Sequence, residues 1–136
     1  MMIGRVIIFA FFVLILCVKI CLTSHFQGGT ITYKIVADYG STISVMITQT
    51  YMYKYSSVPC DNSLIASQSS PNLTSYPDYT RTLICISNCG TSGGYSPIPV
   101  LSYCTDYSIP MDISVTQRSD VVNLTNGSYF TVAYNA

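Results

Sequence analysis

Apolar and polar residues alternate along much of the chain beyond residue 25, and this alternation is typical of β-strands. The segment 30–37, TITYKIVA, places Ile31, Tyr33 and Ile35 on one face of a predicted strand. The pattern breaks at Tyr-Gly-Ser and resumes over 41–55, where it predicts a long strand with room for a bend. The residues that fall on one side of this second strand are Ile43, Val45, Ile47, Gln49, Tyr51 and Tyr53.

Shorter β-type runs follow and complete an all-β pattern. They are separated by turn residues and cover 81–87, 98–105, 112–117, 121–124 and 128–134. The dipeptide Asn126-Gly127 predicts a β-hairpin turn. The segment 56–79 is rich in Ser, Asn and Pro without a sustained period, which predicts a long crossover loop pinned by a disulfide.

Seven β segments and no helical period after the first 24 residues predict an antiparallel β-sandwich. The architecture is that of immunoglobulin and fibronectin modules, although the absence of Trp excludes an immunoglobulin-type Cys-Trp-Cys core. The total length of 136 residues suits one domain.

The first 24 residues predict a hydrophobic signal helix ahead of this domain. Arg5 precedes an unbroken apolar run over 6–18, which is 13 residues long. A secretory h-region has about 7–15 residues, whereas a membrane span needs about 20. We therefore expect a signal peptide over 1–24, cleaved after Ser24, and a single extracellular domain over 25–136. The alternative is an uncleaved membrane anchor over 6–22.

Composition narrows the classes of partner. Charged residues are 9% of the chain, and six Lys or Arg balance six Asp, so no basic surface points to nucleic acid. Removal of the leader takes away two basic residues and leaves a formal charge of −2. Contact with a membrane is expected only through an uncleaved leader.

Four cysteines remain after residue 24, and in an oxidising compartment two disulfides are expected. They are Cys60, Cys85, Cys89 and Cys104. Three connectivities are open. If 83–87 and 100–105 are neighbouring strands around the Gly-rich turn 88–94, the favoured pairs are Cys89–Cys104 and Cys60–Cys85, and the local pair Cys85–Cys89 is disfavoured. A zinc site is disfavoured because the spacing lacks paired knuckles.

Three sequons predict N-glycosylation of a secreted chain. Their acceptors are Asn72, Asn123 and Asn126. Asn72 lies in the Ser/Pro-rich segment and is the best candidate, whereas the other two are so close that they can exclude each other.

No set of residues predicts catalysis, a metal or a cofactor. His25 is the only histidine, so Ser–His or Cys–His chemistry would depend on it alone. The six Asp lie singly in or beside turns, and a glycoside hydrolase would need two carboxylates at about 5–9 Å. We expect the protein not to be an enzyme.

Tyrosine is the most abundant candidate for a binding surface, with 12 residues. Tyr51, Tyr53 and Tyr55 alternate and can present three rings on one face of a sheet. Such a face suits protein contact or stacking on sugars, and packing into the core is the competing interpretation.

The segment 25–33, HFQGGTITY, resembles the start of an uncharacterised family of extracellular animal domains. Its signature reads HFRGGTI, then a polar residue and Trp or Tyr; here Gln27 replaces Arg and Tyr33 replaces Trp. ITQTY at 47–51 and YCTDY at 103–107 resemble the same family in the same order.

This resemblance implies an adhesion-like module at the amino end of longer ectodomains that carry fibronectin-type, immunoglobulin-like or EGF-like modules, with no catalytic residue. It also implies truncation at the carboxyl end. We therefore expect a secreted or cell-surface noncatalytic binding module whose ligand is an extracellular protein or glycan. The alternative is a carbohydrate-binding module that uses exposed tyrosines.

Overall fold

The computed structural model describes residues 25–74 and 81–134. The predicted leader over 1–24, with its cleavage site and the alternative anchor, lies outside the described residues. The strands and one short helix are β1 (Phe26–Asp38), β2 (Thr42–Lys54), α1 (Asn62–Ala66), β3 (Thr82–Ser87), β4 (Ile98–Pro99), β5 (Tyr103–Ser108), β6 (Ile113–Thr125) and β7 (Thr131–Tyr134).

The strands form two antiparallel sheets, which confirms the all-β prediction. The first sheet has four strands in the order β1-β2-β6-β5, and the second has three in the order β4-β3-β7. Strands β2 and β6 pair along their whole length, from Thr42 opposite Thr125 to Lys54 opposite Ile113. This long pair forms the centre of the first sheet.

One hydrophobic cluster collects residues from both sheets. Its buried members are Val45, Ile47, Leu83, Ile98, Val100 and Leu124. Val45, Ile47 and Gln49 are all buried, so the face that alternation assigned to the second strand is the core-facing one. Full burial of such an aliphatic side chain contributes about 1.5–3 kcal/mol.

Two of the predicted strand boundaries are wrong. The runs 112–117 and 121–124 belong to the single strand β6, because Arg118 and Asp120 in the polar interval pair with each other at 2.7 Å and the ladder to β2 continues past them. The run 98–105 is divided between β4 and β5, which lie in different sheets. The chain crosses between the sheets around Ser102, whose hydroxyl lies 2.6 Å from that of Thr116 on β6.

The predicted hairpin at Asn126-Gly127 is also wrong, although a turn is present. Gly127 has a φ of 82°, a left-handed conformation that glycine adopts readily. Strand β7 pairs with β3 of the second sheet and not with β6. The turn therefore carries the chain from one sheet to the other.

The segment predicted as a loop, 56–79, contains the helix α1. The Asp61 carboxylate caps it by accepting a hydrogen bond from the backbone N–H of Leu64 at 2.8 Å. The expectation of no helix beyond the leader is wrong here, because a helix of five residues is too short to show a period in the sequence.

The disulfides join Cys60 to Cys104 and Cys85 to Cys89, so the favoured pairing is wrong and the disfavoured local pair is present. The premise failed because β3, which carries Cys85, and β5, which carries Cys104, lie in different sheets. Asn88 has a φ of 56° and turns the chain directly after β3, which brings Cys89 back to Cys85.

Candidate functional site

Strand β1 forms an edge of the four-stranded sheet and carries apolar side chains that are not covered. Three of them, Ile31, Tyr33 and Ile35, are called here the β1 row. They are opposite Gln49, Ile47 and Val45 of β2. Because directly opposed residues of an antiparallel pair point to the same side, the β1 row is on the core-facing side of the sheet.

The β1 row is nevertheless exposed by 42% at Ile31, 79% at Tyr33 and 55% at Ile35. On β2 the core-facing residues Val45 and Ile47 are buried. The core-facing side of the sheet is therefore covered at β2 but not at β1. The second sheet has only three strands, and β7 has only four residues. An apolar strip along a sheet edge is therefore left open.

Two irregularities shape this edge. The register shifts between Phe26 and Gly28, and again between Ile35 and Ala37. Gly29 lies between them, and the Tyr51 ring lies so close that a Cβ on residue 29 would be 2.7 Å from Tyr51 Cδ1. Gly28 thus lies at a bulge, and Gly29 at a close approach of the two strands.

A second concave feature, called here the β5 pocket, has a volume of about 390 Å³. Its lining residues are Ile65, Gln68, Tyr103, Cys104, Thr105, Gln117, Arg118 and Ser119. The pocket forms at the start of β5, where pairing with β6 ends at Tyr103 opposite Gln117 while β6 continues. Residues from α1 and the turn after it provide another wall.

Arg118 is the charged group in the lining of the β5 pocket, and its charge is compensated. Its Nε and Nη2 donate to the two carboxylate oxygens of Asp120 at 2.7 and 2.9 Å, and its Nη1 donates to the carbonyl of Leu101 at 3.2 Å. The hydrogen bond with Asp120 raises the pKa of Arg118. The guanidinium also lies 6.0 Å from the centre of the Tyr103 ring.

The walls of the β5 pocket are fixed to one another. The Cys60–Cys104 disulfide ties β5 to the segment that leads into α1, and the backbone N–H of Cys104 donates to the carbonyl of Ser69 at 3.0 Å. Gln68, between α1 and Ser69, has a φ of 50°, which is left-handed backbone. The surrounding contacts therefore hold the turn at Gln68 in this conformation.

The three tyrosines that the sequence proposes as a face each pack on another side chain. The Tyr51 hydroxyl donates to Gln49 Oε1 at 2.7 Å, and burial, with smaller effects of Tyr53 and Tyr134, raises the pKa of Tyr51 to about 12. Tyr53 meets the edge of Phe26 with 5.8 Å between ring centres. Binding through these rings stays a prediction.

Tyr55 stacks on Tyr107 with ring centres 5.6 Å apart. The tyrosines with the largest exposed fractions among the described residues lie elsewhere, and they are Tyr33, Tyr39, Tyr103, Tyr129 and Tyr134. Only one of these five, Tyr33, belongs to the β1 row, and only Tyr103 lines the β5 pocket.

The three glycan acceptors lie on the surface in different local structures. Asn72 Oδ1 accepts from the Thr74 hydroxyl at 2.7 Å and from its backbone N–H at 3.1 Å. Asn123 lies within β6 and accepts from the Ser44 hydroxyl at 2.7 Å, whereas Asn126 donates through Nδ2 to the carbonyl of Gly40 at 2.8 Å. Occupancy of the three sites stays a prediction.

The His25 ring contacts the Ser57 hydroxyl, and this contact joins two strands. Its Nδ1 lies 2.7 Å from Ser57 Oγ, and its carbonyl accepts from the N–H of Lys54 at 2.7 Å. Both contacts hold the start of β1 to the end of β2.

The described carboxylates serve turns, a helix cap or ion pairs. Asp38 accepts from the N–H of Gly40, Asp61 caps α1, Asp106 accepts from the N–H of Tyr107, Asp112 accepts from the N–H of Ser56, and Asp120 pairs with Arg118. Asp78 lies outside the described residues. Asp38 and Asp112 agree with the turn chemistry that the sequence predicts. The prediction is wrong for Asp120, which lies inside β6.

Sequence reasoning did not identify the β5 pocket. Its polar residues come from the turn after α1, from β5 and from β6, and no spacing in the chain links Gln68 to Tyr103 or Arg118. The one signal in the sequence was Cys104, because a disulfide at this residue fixes the positions of its neighbours Tyr103 and Thr105.

Comparison with known proteins gives no match among family models, curated proteins or solved structures. Within residues 25–74 and 81–134, the only α-helix is too short to cross a membrane.

Proposed function

We propose that the chain is a noncatalytic extracellular binding module, a β-sandwich of immunoglobulin and fibronectin-like architecture, that recognises an extended segment of another protein along β1. The observation that carries this proposal is the exposed β1 row on the core-facing side of an edge strand. Soluble proteins normally cover, shorten or charge such an edge. Here it runs for 13 residues and carries only Lys34 and Asp38 as charged side chains.

A partner strand that pairs with β1 would gain two kinds of contact. Its main-chain groups would extend the sheet, which provides affinity with little dependence on sequence. Its alternate side chains would lie beside Ile31, Tyr33 and Ile35, so partners with apolar residues at every second position would be selected. An acidic residue of the partner near Lys34 would fix the register.

Several features support work outside the cell. Both disulfides require an oxidising compartment to persist, and the four cysteines after residue 24 are all engaged in them. The leader, the three sequons and the resemblance of HFQGGTITY to extracellular modules favour the same location.

The experiment is a binding screen of the secreted protein against purified extracellular domains and a displayed library of extended peptides, followed by Tyr33→Ser. Tyr129→Ser is the matched control, because Tyr129 is 74% exposed against 79% for Tyr33 and lies outside β1. Buried aromatic anchors contribute about 2 kcal/mol or more, so Tyr33→Ser should weaken binding at least about tenfold.

The Tyr129→Ser variant should bind as the unsubstituted protein does. Selected peptides should share apolar residues at alternate positions. A screen without any binder, or binders that lose the same affinity in both variants, would reject the proposal.

A further inference from the structure

We propose that the β5 pocket binds a neutral mono- or disaccharide, with Tyr103 as the stacking surface and the surrounding amides and hydroxyls as hydrogen-bonding groups. This activity goes beyond protein recognition by β1, and the residues involved are different. It also differs from sugar binding by Tyr51, Tyr53 and Tyr55, whose rings pack on other side chains.

Tyr103 provides an aromatic surface in the β5 pocket. Tyr103 is 40% exposed and forms part of the pocket wall. One face of a pyranose carries mainly C–H groups, and such a face packs on an aromatic ring while its hydroxyls point to the sides. The guanidinium of Arg118, 6.0 Å from the ring centre, helps to hold the ring in this orientation.

The charges at the β5 pocket favour a neutral ligand. Asp120 binds Arg118 through both carboxylate oxygens, so the only cation in the lining is already neutralised. An anionic ligand would have to compete with that carboxylate at close range. A ligand without net charge does not compete with Asp120, and it can still accept hydrogen bonds from the outer N–H groups of Arg118.

The other polar groups in the lining are uncharged. Gln68 and Gln117 provide amides, and Thr105 and Ser119 provide hydroxyls. Three of them also bond within the protein: Gln117 Nε2 donates to Thr50 Oγ1 at 3.2 Å, Thr105 Oγ1 donates to the Val115 carbonyl at 3.2 Å, and Ser119 Oγ lies 2.8 Å from Thr48 Oγ1. Amides and hydroxyls can donate and accept at the same time, as sugar hydroxyls do, so each keeps hydrogen-bonding capacity for a sugar. Ile65 adds an apolar contact at the wall formed by α1.

The size and rigidity of the β5 pocket suit a small sugar. The volume of about 390 Å³ lies in the lower part of the range of ligand sites, about 300–1000 Å³, and accommodates a small sugar. The Cys60–Cys104 disulfide and the Cys104–Ser69 hydrogen bond hold the walls before any ligand arrives. A preformed site reduces the entropy that binding must overcome.

The test uses the secreted protein and saturation-transfer NMR with free glucose, galactose, mannose, N-acetylglucosamine and lactose, and calorimetry on any that bind. Inorganic phosphate and N-acetylneuraminic acid are the anionic comparisons. We expect a neutral sugar to bind with a dissociation constant on the order of 1 mM or below. Tyr103→Ala should weaken that binding by about tenfold, and Tyr103→Phe should change it by less than about threefold.

Gln68→Gly gives a second variant that folds without strain, because glycine accepts the left-handed backbone at this position. It removes the amide and should weaken sugar binding. Tyr39→Ala is the control, because Tyr39 is 72% exposed and does not line the pocket. It should leave sugar binding unchanged.

Three results would overturn the inference: no neutral sugar binds at about 50 mM, only the anions bind, or Tyr103→Ala and Tyr39→Ala weaken binding equally. Tyr33→Ser should not affect sugar binding, and Tyr103→Ala should not affect peptide binding by β1. The two proposals can therefore fail separately.

Discussion

A buried amide connects the two sheets at the scale of single residues. Gln49 has no exposed surface although it belongs to the apolar row of β2. Its Nε2 donates to the carbonyl of Pro99 at 2.9 Å, and its Oε1 accepts from the Tyr51 hydroxyl at 2.7 Å. Both ends of the side chain are thus satisfied, which removes the cost of burying an amide and fixes the position of β4 over β2.

Close packing of β1 on β2 requires a residue without a side chain at Gly29. A Cβ at this residue would be 2.7 Å from Tyr51 Cδ1 and 2.9 Å from the carbonyl oxygen of Thr50, so a ring and a main chain would both have to shift. We expect Gly29→Ala to lower the free energy of unfolding by about 1–3 kcal/mol in urea titrations. Gly90→Ala is the control, because its Cβ would meet no atom within 4 Å. Equal stability of the two variants would contradict the packing argument.

At the scale of elements, alternation predicted where most strands lie but not which of them are covered. Strands β1 and β2 both alternate, yet Ile47 is 5% exposed and its neighbour Tyr33 is 79% exposed. The difference comes from the extent of the opposite sheet, which residues distant in sequence determine. For the same reason the cysteine pairing could not be derived, because it depended on which strands are neighbours.

The two disulfides should differ in their effect on stability. Cys60 and Cys104 are 44 residues apart, whereas Cys85 and Cys89 are four apart. In the chain-entropy model these loops correspond to about 4 and about 2 kcal/mol. Cys60 and Cys104 are also buried, at 0% and 3% exposed, so their replacement leaves a cavity as well.

The measurement is urea unfolding of two double variants, Cys60→Ala with Cys104→Ala and Cys85→Ala with Cys89→Ala. We expect the first to lose at least about 2 kcal/mol more than the second. A larger loss in the second variant would show that the turn after β3 matters more to the fold than the link between β5 and α1.

At the scale of the whole molecule, the two candidate sites lie on opposite edges of the four-stranded sheet, β1 at one and β5 at the other. The first could be partly predicted, because its alternation is visible in the sequence. The β5 pocket could not, since Gln68, Tyr103 and Arg118 come together only through the sheet crossing and the Cys60–Cys104 link. A protein ligand on β1 and a sugar near β5 would not compete for the same surface.

The surface that remains after these two sites includes Asn72, and export predicts that it carries a glycan. The Thr74 hydroxyl and N–H both donate to Asn72 Oδ1, so the Nδ2 that receives the sugar takes no part in these two bonds. We expect the intact mass of the secreted protein to fall by one glycan in Asn72→Gln and in Thr74→Ala, which keeps the asparagine but breaks the acceptor rule. Asn126→Gln should lower the mass in a smaller fraction of the molecules, because Asn126 Nδ2 donates a hydrogen bond to the Gly40 carbonyl. A mass that deglycosylation leaves unchanged would contradict glycosylation at this site.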